Sequence, residues 1–136
     1  MRFLYTGWFV EPEEIGQIAA ELAPQRLEKK IEYPHITLVF KPEQVNTELF
    51  GSKARITVTG YGNDGENEGV LVKVEPEEET LRHAVLNLDT PHITLSIAEG
   101  AKAVNTRKLE FHSVEPVVLE GIFGGMTADN VPCFEK

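Results

Sequence analysis

Apolar and polar positions along this chain fall into runs that predict strands separated by two helices. Residues 2–10, RFLYTGWFV, are aromatic and β-branched enough for a strand. Glu11-Pro12-Glu13-Glu14 then reads as a helix start, with proline in the first turn and acids against the positive end of the helix dipole. Ile15, Ile18, Ala19 and Leu22 recur at i, i+3, i+4 and i+7, one apolar stripe on a helix that Pro24 stops. Residues 33–40 form a second strand candidate, closed by Lys41-Pro42. Residues 53–61 and 70–75 are two further strand-like runs, and the Gly-, Asn- and Asp-rich segment 62–69 between them predicts a hairpin with a long polar tip. Residues 76–86 predict a second helix, from an acidic first turn and the Leu81/Val85 pair at i, i+4. Strand character returns at 90–97, 109–114 and 117–123, before a Gly124-Gly125 break and a tail. The order β, α, β, hairpin, α, β, β, β has few βαβ crossovers, and so predicts an α+β domain with largely antiparallel sheet.

Composition narrows the class. A chain of 136 residues with 41% apolar and 26% charged residues fits one folded domain, 1–136, and neither a disordered nor a fibrous protein. No apolar run approaches the roughly 20 residues of a membrane span. Met1-Arg2-Phe3 leads straight into mixed polar sequence rather than a signal peptide, so the expectation is a cytoplasmic protein with no membrane partner. The one cysteine, Cys133, can form no internal disulfide and no thiolate metal cluster. A net charge of −9 has the wrong sign for holding long duplex nucleic acid by its phosphates, so a nucleic-acid partner has to be small or gripped at one end.

The chemistry lies in an internal repeat. Pro34-His35-Ile36-Thr37-Leu38 recurs as Pro91-His92-Ile93-Thr94-Leu95, with no array of repeats around it, so it marks a duplicated half rather than a solenoid. Side chains alternate across a strand, so each copy carries an apolar back and a His/Thr front. Two such strands related by a pseudo-twofold axis bring two imidazoles and two hydroxyls around one small space. Histidine, with an unperturbed pKa near 6.5, can serve in one copy as base and in the other as acid. That is the division phosphodiester cleavage needs, with the threonine hydroxyls hydrogen-bonding the phosphoryl oxygens as charge gathers there.

His35-Ile36-Thr37-Leu38 and His92-Ile93-Thr94-Leu95 resemble the paired His-φ-Thr/Ser-φ signature, φ being hydrophobic, of the two-histidine (2H) phosphoesterases. The resemblance implies a bilobal, pseudo-twofold fold with two main helices outside and a central groove. It implies metal-independent phosphodiesterase activity, without cofactor, on 2′,3′-cyclic phosphate ends of RNA or nucleotides, RNA-repair members being the most similar. It carries over His35, Thr37, His92 and Thr94 as catalytic, with His92 as the base that activates water and His35 as the acid. The residues themselves leave those two roles open, because the copies are so alike. The expected partner is a small nucleotide or an RNA 3′-end, and the expected state is a monomer.

Other readings stand beside this one. A signalling cyclic mono-, di- or oligonucleotide is a second substrate class, and a non-catalytic nucleotide-binding module is a second kind of function. Metal binding lacks any HExxH or clustered Cys/His spacing, so no metal site is expected. Trp8, Tyr33, Tyr61 and Phe123 are candidates for stacking on a base, Tyr61 foremost because it borders the glycine-rich tip. That tip lacks phosphate-loop spacing and reads as a plain hairpin turn. His83 and His112 lack a threonine two residues on and read as surface or structural histidines. Lys41, Lys102 and Arg107 follow the motif strands and are the cations placed to attract a phosphate.

Overall fold

A computed structural model describes residues 2–136. Eight strands form one antiparallel sheet: β1 (Phe3–Val10), β2 (Lys29–Lys30), β3 (His35–Phe40), β4 (Lys53–Asn63), β5 (Asn67–Pro76), β6 (His92–Ile97), β7 (His112–Thr127) and β8 (Pro132–Cys133). Their spatial order is β2-β6-β5-β4-β7-β1-β3, with β8 beside β7. Two α-helices, α1 (Pro12–Leu22) and α2 (Glu79–Val85), and two 3-10 turns, Thr47–Leu49 and Ala103–Lys108, complete the α+β domain.

The strand order reads the same outward from its centre: β7-β1-β3 on one side and β4-β5-β6 on the other. Each half runs strand, helix, motif strand, and the pairing registers repeat as well. Phe9, Trp8 and Gly7 face His35, Ile36 and Thr37, after which the register slips past Leu38 so that Thr6 faces Val39. Leu71, Val70 and Gly69 face His92, Ile93 and Thr94, after which it slips past Leu95 so that Glu68 faces Ser96. The repeat of the motifs is therefore a repeat of paired strands with a bulge at the same place.

A bulge inverts the facing of the residues beyond it, and the two bulges divide the polar residues between two faces. Ile36, Ile93, Trp8, Val70, Ile56 and Phe123 fill the core on the back face. α1 contributes Ile15, Ile18 and Ala19 to that core and α2 contributes Leu81. The Ala23 N–H closes α1 on Ala19 O, just ahead of Pro24. After α1 the chain returns along β6: Lys29 and Lys30 pair with Ile97 and Ser96, and the Ile31 N–H donates to Leu95 O. Four residues later His35 begins β3, already tied to β1 by the Val10 N–H donating to Pro34 O. Since four residues reach at most about 14 Å, this bridge brings the two outer motif strands together, and they are in contact.

A buried ion pair holds the bridge down. Glu68, fully buried, lies 3.0 Å from Arg26, and it also accepts hydrogen bonds from the Tyr61 hydroxyl at 2.5 Å and the Ser96 hydroxyl at 2.7 Å. Arg26 in turn donates to Ala19 O and Ala23 O at the end of α1. A carboxylate this enclosed is tolerable only because all its partners are present.

Four expected boundaries differ from the structure, the first being the second helix, which begins at Glu79 rather than at 76 because Pro76 still belongs to β5. The hairpin tip is short, because Gly62 pairs with Gly69 and Asn63 with Glu68, leaving a turn in which Asp64 Oδ1 accepts from the Glu66 and Asn67 N–H groups. Gly62 and Gly69 are there for close approach: a Cβ on Gly69 would collide with Thr106 Cγ2. Gly124-Gly125 is likewise no break but the middle of β7, where the rings of Phe134 and Phe3 occupy the space a Cβ would need. The two strands expected at 109–123 are one, β7, whose pairing with β4 skips residues 114–116, so that Pro116 owes no ladder hydrogen bond there.

Candidate active site

His35 and His92 occupy the first positions of β3 and β6 and are half-buried. In both copies Nδ1 lies 2.8 Å from the carbonyl oxygen two residues upstream, that of Tyr33 for His35 and that of Thr90 for His92. A carbonyl can only accept, so Nδ1 carries the proton in each ring and Nε2 is left with a free lone pair. The sequence repeat thus builds the same tautomer twice.

Both imidazoles are held below their ordinary pKa. Burial is the main cause for His35; the bond to Tyr33 O works against it, and repulsion from His92 adds to it. Burial leads for His92 too, opposed by the Thr90 bond and reinforced by the Arg107 guanidinium. Each ring therefore favours the neutral form in the free protein at pH 7.

The surroundings of the two rings differ. Tyr5 stacks on His35 at 4.2 Å between centroids and 21° between planes, with its hydroxyl 3.2 Å from Nδ1, and Phe9 covers another side at 5.6 Å. Burial pushes the Tyr5 phenol up to about 12, so it stays protonated and serves as cover rather than as a base; toward a protonated Nδ1 its hydroxyl oxygen can only accept. Thr37 is half-buried, and its hydroxyl has no hydrogen bond to a protein group among the described residues. Thr94 is buried, and its hydroxyl lies 2.9 Å from that of Thr106, which also accepts from Asn67 Nδ2 at 3.1 Å. Tyr5 and Asn67 hold matching places in the two halves, facing Phe40 and Ile97 beyond the bulge.

The four motif residues stand on β3 and β6, two strands in contact with each other, whereas the expected base-stacking aromatics lie elsewhere. Trp8 and Phe123 are a correction: both are buried in the core on the back face, 5.3 Å from each other, with no face open to a ligand. Tyr61 is corrected as well, being buried with its hydroxyl on Glu68. Their alternation along the strands turns them away from the histidines. Tyr33 alone is half-buried, beside a cavity of about 630 Å³ that it shares with Phe9 and Phe134. Of the three cations, Arg107 is the one whose charge acts on a motif histidine. Lys41 lies at the far end of β3, in the lining of a cavity of about 890 Å³ that neither histidine lines.

Sequence reasoning missed Tyr5, Phe9, Asn67 and Thr106. The aromatic pair carried a weak signal, since Phe9 sits two residues from Gly7 on the same face of β1. Thr106 carried none, because its place depends on the space above Gly69. Among the described residues no group of three or more His, Cys, Asp or Glu gathers to hold a metal ion, and no helix is long and apolar enough to cross a membrane. Neither a family model nor a curated protein matches the chain.

Proposed function

We propose that the protein is a 2H-type phosphodiesterase, bilobal about the pseudo-twofold between β4 and β7, that opens 2′,3′-cyclic phosphates at RNA or nucleotide ends without a metal. The observation that carries this reading is the pair of Nδ1–carbonyl hydrogen bonds at matching registers, which presents two Nε2 atoms from touching strands. One Nε2 takes a proton from water as it attacks phosphorus; the other, protonated, gives a proton to the departing ribose oxygen. Thr37 and Thr94 donate to the non-bridging oxygens. Both rings favour the neutral form in the free protein, so the acid takes up its proton together with the anionic substrate, whose charge raises the pKa of a nearby imidazole. The net charge of −9 favours a small ligand over a long one.

The test is a turnover panel of 2′,3′-cyclic mononucleotides, RNA ends bearing a cyclic phosphate, and cyclic dinucleotides, each with and without EDTA. Opening of the 2′,3′-cyclic phosphates at a rate indifferent to EDTA is expected. Affinity without product across the panel would instead make the domain a binding module. Loss of rate in EDTA with rescue by one divalent ion would overturn metal independence.

A further inference from the structure

The 3-10 turn Ala103–Lys108 alternates an inward threonine with an outward arginine. Thr106 is fully buried, and its methyl group fills the space above Gly69 that a Cβ there would need. Its hydroxyl is held between Thr94 Oγ1 at 2.9 Å and Asn67 Nδ2 at 3.1 Å, and the same Asn67 amide nitrogen donates to Lys102 O at 2.8 Å. Asn67 is itself buried and commits both amide hydrogens to this turn. Arg107, the next residue, is exposed and makes no ion pair among the described residues. Thr106 anchors the backbone of this turn against the strand that bears His92 and Thr94, and the exposed Arg107 guanidinium that follows it, on so acidic a chain, has the bidentate shape that suits a phosphate.

We propose that this turn is the phosphate grip of the site: Thr106, locked over Gly69, aims the Thr94 hydroxyl at one non-bridging phosphoryl oxygen, and Arg107 binds another. The proposal rests on reading His35, Thr37, His92 and Thr94 as an oxyanion site. In the free protein the Thr94 hydroxyl has Thr106 Oγ1 and, at 3.5 Å, Ala103 O as acceptors. An anionic oxygen is the stronger acceptor. When it takes the Thr94 proton in a hydrogen bond, Thr106 donates its own proton to Thr94 Oγ1, while Asn67 keeps donating to Thr106. Every hydroxyl is then satisfied, and Thr94 is polarised toward the ligand. Thr106 touches no ligand and is a positioning residue; Arg107 does touch it.

The experiment titrates inorganic phosphate, and separately a nucleoside 3′-phosphate, into the protein at low salt while following the ring Cε1–H signals of His35 and His92 by NMR. Both rings should shift on addition. Arg107→Gln should weaken the apparent Kd about 10-fold or more, as expected for lost charge-assisted bonds, and Arg107→Lys should recover part of it. Lys108→Gln, an equal loss of charge on the same turn, should leave the affinity within about 2-fold. Thr106→Val should weaken binding about 3- to 10-fold and lower kcat more than it raises KM, with Thr106→Ser restoring both. Phosphate that moves neither ring, or an Arg107→Gln protein that binds as tightly as wild type, overturns the proposal. Arg107-dependent binding with no turnover of cyclic phosphates would leave the grip standing and remove the enzyme reading. Turnover that is indifferent to Arg107→Gln and Thr106→Val would do the reverse.

Discussion

The β1–β3 half and the β5–β6 half share a register, a bulge and a histidine tautomer, yet each surrounds its histidine differently. Tyr5 and Phe9 close aromatic faces over His35, while the threonine beside it, Thr37, has a hydroxyl free of protein partners among the described residues. In the other half no aromatic ring stacks on His92 among the described residues, while Thr94 is tied to Thr106, which Asn67 also holds, and the charge of Arg107 acts on the imidazole. Where one half has Tyr5 and Phe9 the other has Asn67 and Leu71, and with Thr106 beside it that exchange replaces an aromatic lid by a polar clamp. A duplicated backbone therefore fixes two imidazoles in the same tautomer, and gives them unlike neighbours.

The largest effect that tests this comparison is loss of turnover. His35→Ala and His92→Ala should each lower kcat on a 2′,3′-cyclic nucleotide by about 10²- to 10⁴-fold with circular dichroism unchanged, the usual range for an acid-base group. A nitrophenyl phosphodiester separates the roles, since its leaving group needs no proton: the acid variant should recover on it and the base variant should not. Full activity of either alanine variant on the cyclic substrate would end the two-histidine mechanism. Recovery of His92→Ala with continued loss in His35→Ala would make His35 the base.

Next come the glycines at the bulges. A Cβ on Gly7 would collide with Ile36 O, a backbone atom, whereas the one on Gly69 meets the side chain of Thr106 first and Ile93 O at 2.8 Å. Gly7→Ala should therefore cost about 3 kcal/mol or more in urea unfolding and Gly69→Ala less, as overpacking against backbone relaxes least. Equal costs would mean that the two halves accommodate strain alike.

The threonines should then separate by stability. Thr94→Val leaves the buried hydroxyl of Thr106 without one of its partners and should cost about 1–3 kcal/mol. Thr37→Val should cost almost nothing in stability, while both variants lower kcat. If Thr37→Val destabilises as much as Thr94→Val, the asymmetry of the two hydroxyls is lost.

The smallest effect is the pH dependence of stability. Both histidines sit below 6.5 when folded, so in acid the unfolded chain binds more protons than the folded one. Stability is therefore full above about pH 6.5 and falls as pH drops through that value toward the folded pKa values, by at most about 1.4 kcal/mol per pH unit for each ring. Urea midpoints between pH 7.5 and 5 should show this fall, and it should shrink in His35→Gln and in His92→Gln. A fall of unchanged slope in both variants would assign it to other groups.

The paired motifs, their front and back faces, the helix stripe of α1 and the antiparallel α+β class were all legible in the sequence, because each depends on local periodicity and residue type. Gly62, Gly69, Gly124 and Gly125 were misread as turn formers, since nothing local tells a glycine that bends the chain from one that lets Thr106, Phe134 or Phe3 come close. Trp8, Tyr61 and Phe123 were misplaced for a related reason: an aromatic on a strand can face either side, and only the pairing register settles which. The sequence by itself determined the chemistry offered, two histidines and two threonines alternating with apolar residues along two strands. Tertiary structure alone decided that residues 29–34 stitch the sheet's two ends together, that Tyr5 lies over one histidine, and that Thr106 and Arg107 stand beside the strand of the other. Those neighbours are distant along the chain, and they meet only where the long-range pairing of β1, β5 and β6 brings them.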